Sequence, residues 1–194
     1  MLKTRIAVLV SGSGTNLQAL IDAQNSGLIK SGEIVLVISN KTDAYALERA
    51  GDNGIKSWVM SDEFSLIDTL RQEKIDLVVM AGFLKILGIQ FIKAFENRII
   101  NVHPSLIPSF CGKGCYGLHV HEKALEYGVK VTGATVHYVN EIPDGGKIIA
   151  QKTVEIKEDD TAEVLQKRVM EEAEWIILPR AVEAIAEKLL KEAE

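Results

Sequence analysis

The stretch Arg5-Ile-Ala-Val-Leu-Val-Ser-Gly-Ser-Gly-Thr-Asn16 decides the fold, because an unbroken apolar run stops in a loop of small residues that opens onto a helical pattern. A short run that is apolar at every position, without alternation, reads as a strand buried on both faces, the habit of parallel sheets. The helix that follows, Asn16 to Ser26, begins after the potential cap Thr15 and ends at Gly27. The same unit recurs along the first half. Arg5 to Val10, Ile34 to Ser39, Leu77 to Ala81 and Arg98 to His103 read as strands, with a weaker one from Ile55 to Val59. Helical patterns from Asp43 to Asp52 and Glu63 to Glu73 lie between them.

Beyond His103 the pattern changes. His119 to Tyr127 reads as a helix, while Lys130 to Asn140 alternates and pairs with Ile148 to Ile156 as a hairpin across Asp144-Gly-Gly. A last helix is expected from Thr161 to about Leu178, with Pro179 in the first turn of another. The expected fold is α/β: a Rossmann-like open, mostly parallel twisted sheet with an antiparallel C-terminal extension and helices on both faces. No Pro-, Gly- and Ser-rich linker divides the chain, so residues 1–194 are expected to form one domain.

Open parallel sheets bind ligands beyond the carboxyl ends of their strands. The polar residues gather there: Ser11 to Asn16 after the first strand, Asn40 after the second, Gly82 after the fourth, and Asn101 and His103 at the end of the fifth. The Ser11 to Asn16 loop places small residues and free N–H groups at a helix start, which suits a phosphate, although a tight turn without ligand has the same composition. Leu17 stands where the dinucleotide fingerprint needs its third glycine and no Walker lysine follows, so NAD and ATP are not expected.

Asn101 and His103 are two apart on a strand and share a face, and Pro104 keeps His103 extended. An amide donor beside an imidazole suits a reaction that develops negative charge on a carbonyl oxygen, and Asp144 supplies a third group. His137 has two readings, satisfied in the core or lining the cleft, and the cleft is preferred. Of His119 and His121 at a helix start, one is expected to be hydrogen-bonded and one near the cleft. Cys111, Cys115, His119 and His121 lie close together, but Cys-x-x-x-Cys followed by His-x-His fits no common zinc pattern, and no metal is expected. Phe83 to Leu87 is apolar where a polar loop would be usual, which fits either core or a slot for a flat ring. Glu171, Glu172 and Glu174 read most simply as a solvated face, with Glu174 beside Trp175 the one to watch.

Composition narrows the classes. Hydrophobic residues make up 47% and charged residues 25%, ordinary for a globular chain, and the net charge of −5 without a basic cluster argues against nucleic-acid binding. The apolar start is too short for a signal peptide and no segment reads as membrane-spanning, so a cytoplasmic protein is expected, consistent with two cysteines too few to staple the fold.

Taken together, Ser11-Gly-Ser-Gly-Thr-Asn-Leu-Gln-Ala-Leu20, Ala81-Gly-Phe-Leu-Lys-Ile-Leu87, Asn101-Val-His-Pro-Ser-Leu-Ile-Pro108, Tyr116-Gly-Leu-His-Val-His121, Gly133-Ala-Thr-Val-His137 and Asp144-Gly-Gly146 resemble the phosphoribosylglycinamide formyltransferases, folate-dependent enzymes of purine synthesis. The resemblance implies transfer of a formyl group from 10-formyltetrahydrofolate, a co-substrate and not a tightly bound cofactor, to the amine of glycinamide ribonucleotide. These small molecules are the partners expected, in a monomer or homodimer. It implies that Asn101, His103 and Asp144 are catalytic, with Asp144 favouring the charged imidazole. Gly14, Thr15 and Asn16 would hold the substrate phosphate, and Glu171, Glu172, Ala173 and Glu174 its ribose and glycinamide part. Leu84, Lys85, Ile86, Leu87, Asn101, Asn140, Glu141, Ile142, Pro143 and Asp144 would hold the folate. The same triad serves formyltetrahydrofolate hydrolase, the alternative, which usually carries a regulatory domain before the catalytic one; a chain that opens on its first strand favours the transferase. Three features depart from the family: Lys147 replaces a proline after Asp-Gly-Gly, Asp62 to Ile67 lacks an arginine that elsewhere meets the folate tail, and Cys111 to Cys115 is a longer insert.

Overall fold

In the computed structural model, which describes residues 2–193, the chain forms a seven-stranded sheet in the order β3-β2-β1-β4-β5-β6-β7. The strands are β1 (Thr4–Val10), β2 (Gly32–Ser39), β3 (Lys56–Val59), β4 (Leu77–Met80), β5 (Ile99–His103), β6 (Val131–Tyr138) and β7 (Ile148–Glu155). The pairs among β1 to β5 are parallel, and β6 and β7 add on antiparallel. The helices are α1 (Thr15–Asn25), α2 (Tyr45–Asp52), α3 (Glu63–Gln72), α4 (Ile89–Ala94), α5 (Leu118–Tyr127), α6 (Ala162–Val169) and α7 (Trp175–Ala193). The connection order reverses between β1 and β4, the crevice where such sheets take ligands.

β1 shows why the apolar run had to be continuous. Its odd and even residues face two different cores: Ile6, Val8 and Val10 pack with Leu17, Leu20 and Val182 on one face, and Ala7 and Leu9 with Leu66, Leu70 and Phe91 on the other. A polar residue anywhere from Ile6 to Val10 would lie in one core or the other.

Two local expectations are corrected. Gly14, not Thr15, caps α1: it sits left-handed at φ 71°, and a β-carbon there would stand 2.6 Å from that of Ala46. Close approach of α2 to the loop therefore overrides the side-chain capping preference. The C-terminal helices are also not two elements broken at Pro179. α6 runs into a π-helical turn, Met170–Glu174, and α7 carries Pro179 within it. The proline removes only the bond to the carbonyl of Trp175, where the π turn ends and ψ is already relaxed to −9°, so the ring fits without stopping the helix. α4, six residues long, was not legible in the sequence.

Candidate active site

The antiparallel register builds the centre. Asn101 pairs with His137 across β5 and β6, so their side chains meet on one face, with Asn101 Nδ2 3.2 Å from His137 Nε2. His137 Nδ1 donates to the carbonyl of Tyr138 at 2.8 Å, and its Nε2 faces one amide hydrogen of Asn101 and, at 3.6 Å, the Asp144 carboxylate. The second amide hydrogen remains for a ligand. His137 is thus both satisfied and in the cleft.

Asp144 arrives from the β6–β7 connection. The turn is closed by the Gly145 N–H to the Ile142 carbonyl, and a β-carbon on Gly146 would fall 1.7 Å from the Tyr138 oxygen, so only glycine lets the chain double back here. Asp144 itself adopts φ 56°. Its carboxylate lies 3.7 Å from His103 Nδ1 and 3.6 Å from His137 Nε2, and accepts the Gly112 N–H at 2.8 Å. Burial pushes this carboxyl up, but His137, the charge of His103 and the Gly112 N–H outweigh it and hold it below the usual range.

His103 is buried, and its Nε2 lies 2.9 Å from the Phe110 carbonyl. Both ring nitrogens therefore face acceptor oxygens, the Phe110 carbonyl on one edge and Asp144 at 3.7 Å on the other. Phe110 and Gly112 belong to the cysteine-bearing loop, whose backbone the sequence did not single out; the positive-φ glycines 112 and 114 were its only signal. His121 is fully buried with neither ring nitrogen hydrogen-bonded, and burial, with the nearby charge of His103, pushes it down to about 4. His119 instead pairs with Glu122 at 2.7 Å on the surface.

The other expected residues fall in two places. At the start of α1, helix geometry leaves the N–H groups of Thr15, Asn16 and Leu17 without carbonyls four residues back. Arg49, which the sequence reading missed, borders this loop, donating to the Ser13 carbonyl at 2.8 Å and to Gln18 at 3.1 Å. The Asn16 side chain points inward and donates to Glu174 at 2.6 Å, while Thr15 contacts the Met170 sulfur. The π turn divides its own residues: Glu171 and Glu172 are exposed, whereas Ala173 and Glu174 are buried. The solvated-face reading thus holds for two of the glutamates and fails for Glu174, whose carboxyl burial pushes up to about 7, the Asn16 amide offsetting part of the effect.

Around the remaining edge, Leu84, Lys85 and Ile86 are exposed, and the Leu84 N–H is held by Ser11 Oγ, itself bonded to Asn40. Leu87 turns into the core beside Phe91, so its side chain is not available to a ligand. Asn140, Glu141, Ile142 and Pro143 form an exposed loop braced by Asn140, which accepts the Ile142 N–H and donates to the Gly145 carbonyl. Among the described residues, no helix is long and apolar enough to cross a membrane.

Asn101, His103, His137 and Asp144 gather at the carboxyl edge of the parallel strands, and the chain belongs to the formyl transferase family, whose model matches residues 4–182. It is a formyl transferase, an enzyme. More particularly, it is 40% identical over 199 residues to the chloroplastic phosphoribosylglycinamide formyltransferase of Arabidopsis thaliana, the match covering 97% of this chain and 68% of that protein. The phosphoribosylglycinamide formyltransferase of Haemophilus influenzae is 41% identical, with 96% of this chain and 89% of that one covered. The crystal structure of glycinamide ribonucleotide transformylase 1 from Symbiobacterium toebii superposes with a TM-score of 0.88 at 42% identity, covering 96% of this chain and 89% of that one.

Proposed function

We propose that the protein transfers the formyl group of 10-formyltetrahydrofolate to the amine of glycinamide ribonucleotide, giving N-formylglycinamide ribonucleotide and tetrahydrofolate in purine biosynthesis. The observation that carries this reading is the convergence of Asn101, His103 and Asp144, linked through His137, in one partly buried cluster within a chain 41% identical to a phosphoribosylglycinamide formyltransferase over most of both lengths.

In this mechanism the substrate amine attacks the formyl carbon and the carbonyl oxygen becomes an oxyanion. The free amide hydrogen of Asn101 and the His103 imidazolium donate to it, His103 exchanging the Phe110 carbonyl for the formyl oxygen. Asp144 keeps the imidazole charged and orders proton transfer from the attacking amine through water to the departing folate nitrogen. The first turn of α1, with Gly14, Thr15 and Asn16 and the Arg49 guanidinium beside it, receives the phosphate. The π turn with Glu174 receives the ribose and glycinamide, and the loops at residues 84–87 and 140–144 hold the pterin, Leu87 through its backbone. The chain acts as one domain, holds no cofactor permanently and works in the cytoplasm, where free thiols persist.

The test is the loss of 10-formyltetrahydrofolate with purified protein, with and without glycinamide ribonucleotide. Strict dependence on the ribonucleotide, with one formyl appearing on it per folate released, is expected. Formate release without the ribonucleotide would make the chain a hydrolase instead.

A further inference from the structure

The loop Phe110 to Gly117 is packed against the catalytic cluster by its backbone, and its two cysteines have no part in the chemistry above. Phe110 offers its carbonyl to His103 Nε2 and Gly112 its N–H to Asp144, so three consecutive residues, Phe110 to Gly112, carry both contacts and one of the thiols. Cys111 and Cys115 flank a turn closed by the Cys115 N–H to the Gly112 carbonyl, with glycines at 112 and 114, both at positive φ, whose lack of a β-carbon lets the backbone readjust. Both thiols are free and half-buried. The Cys111 Sγ lies 3.2 Å from the Pro108 oxygen and the Cys115 Sγ 3.2 Å from Lys123 Nζ, an ammonium that a thiolate would face.

We propose that Cys111 and Cys115 are a thiol-modification site at which a small-molecule disulfide forms an intraloop bridge that slows formyl transfer by displacing the backbone contacts to His103 and Asp144. Cys115, facing Lys123, attacks the small disulfide as the thiolate, forming a mixed disulfide and releasing one thiolate that takes a proton from solvent. Cys111 then gives its proton to solvent, attacks the Cys115 sulfur and expels the second thiolate. Two protein thiols are oxidised, and one small disulfide is reduced to two thiols. Burial, together with Asp144 and Cys115, pushes the Cys111 thiol up, which suits the resolving and not the attacking role. Closing the bridge needs α-carbons within about 7 Å and defined sulfur geometry. A bridged sulfur has neither the S–H that Cys111 gives the Pro108 oxygen nor the charge that would face Lys123, so both contacts are lost on closure, and Gly112 lies on the segment between the two sulfurs. Exchange of this kind in a reducing compartment is characteristically transient and regulatory.

The slowing of turnover rests on the formyl-transfer reading; formation of the bridge does not. The full chain is treated with oxidised glutathione, digested and mapped by mass spectrometry, with histidine ring protons followed by NMR and turnover measured before and after dithiothreitol. The expected result is a Cys111–Cys115 linkage, a shifted His103 resonance, and a tenfold or greater fall in kcat that the reductant reverses. The double variant Cys111→Ser with Cys115→Ser is expected to keep the untreated rate and to ignore the oxidant. A glutathione adduct without an internal bridge, or a bridge that leaves the His103 resonance unmoved, would overturn the proposal even if the protein had no formyl-transfer activity. A bridge with undiminished turnover in an active enzyme would do the same.

Discussion

At the β6–β7 turn, Asp144 faces two imidazoles and a backbone N–H and is held ionised; at the π turn, Glu174 faces one amide, and its carboxyl is pushed up to about 7. Asp144 is half-buried and Glu174 almost wholly buried, and burial pushes both carboxyls up; the groups around each decide how much of that push is offset. One region is built to keep a carboxylate ionised beside two imidazoles, which suits acid–base chemistry. The other keeps a carboxyl poised between its two forms near neutral pH, able to accept from or donate to a polar ligand.

The largest effect expected from breaking this contrast is at Asp144. Asp144→Asn keeps an acceptor for the Gly112 N–H but removes the charge facing His103 and His137. Steady-state kinetics should show kcat lower by about 10²- to 10⁴-fold, with the KM for the ribonucleotide little changed. A variant with near-normal kcat would reduce Asp144 to a turn residue.

The two carboxyls should also tilt the stability curve in opposite directions. The folded state holds Glu174's proton up to about 7 against an ordinary value of 4.5, so over that interval it binds more protons than the unfolded chain. Its contribution therefore declines as pH rises from 4.5 to about 7, by on the order of 3 kcal/mol, and is level above. Asp144 has a folded value below 3.8, so its contribution is present above that value and is lost as the pH falls through the lowered one. Urea unfolding of Glu174→Gln at pH 5 and pH 8 sharpens the contrast: the variant should gain stability relative to the parent at the higher pH. An equal difference at both pH values would mean that Glu174 does not titrate between them.

Gly14→Ala should cost more than about 1 kcal/mol, because alanine is strained at φ 71° and its methyl meets Ala46. The midpoint of thermal unfolding reads this directly, and a fully stable variant with raised ribonucleotide KM would show that the glycine serves the ligand alone. The smallest effect belongs to Glu171→Ala. Glu171 is exposed and pairs with Lys167 only at 3.8 Å, so unfolding should change by less than about 0.5 kcal/mol. A marked rise in ribonucleotide KM there would extend the substrate site to the outer face of the π turn.

What the chain order alone determined is whatever depends on local pattern. The continuous run of β1, the glycines that end helices and the alternation of β6 against β7 each follow from the faces that residues must bury, and they placed every strand to within two residues. Asn101 and His103 were legible for the same reason, since a strand's period of two puts them together. What depends on neighbours distant in sequence was decided by the tertiary structure. Gly14 caps α1 because Ala46 presses on it, and Pro179 lies within α7 because the π turn had already loosened the backbone before it. Glu174 is pushed up to about 7 because it is turned inward out of water, beside an Asn16 that lies 158 positions away, a fact no local pattern of charges contains. The backbone of the cysteine loop reaches His103 and Asp144 for a related reason: carbonyls and N–H groups are the same in every residue, so only packing reveals which of them meet a given side chain.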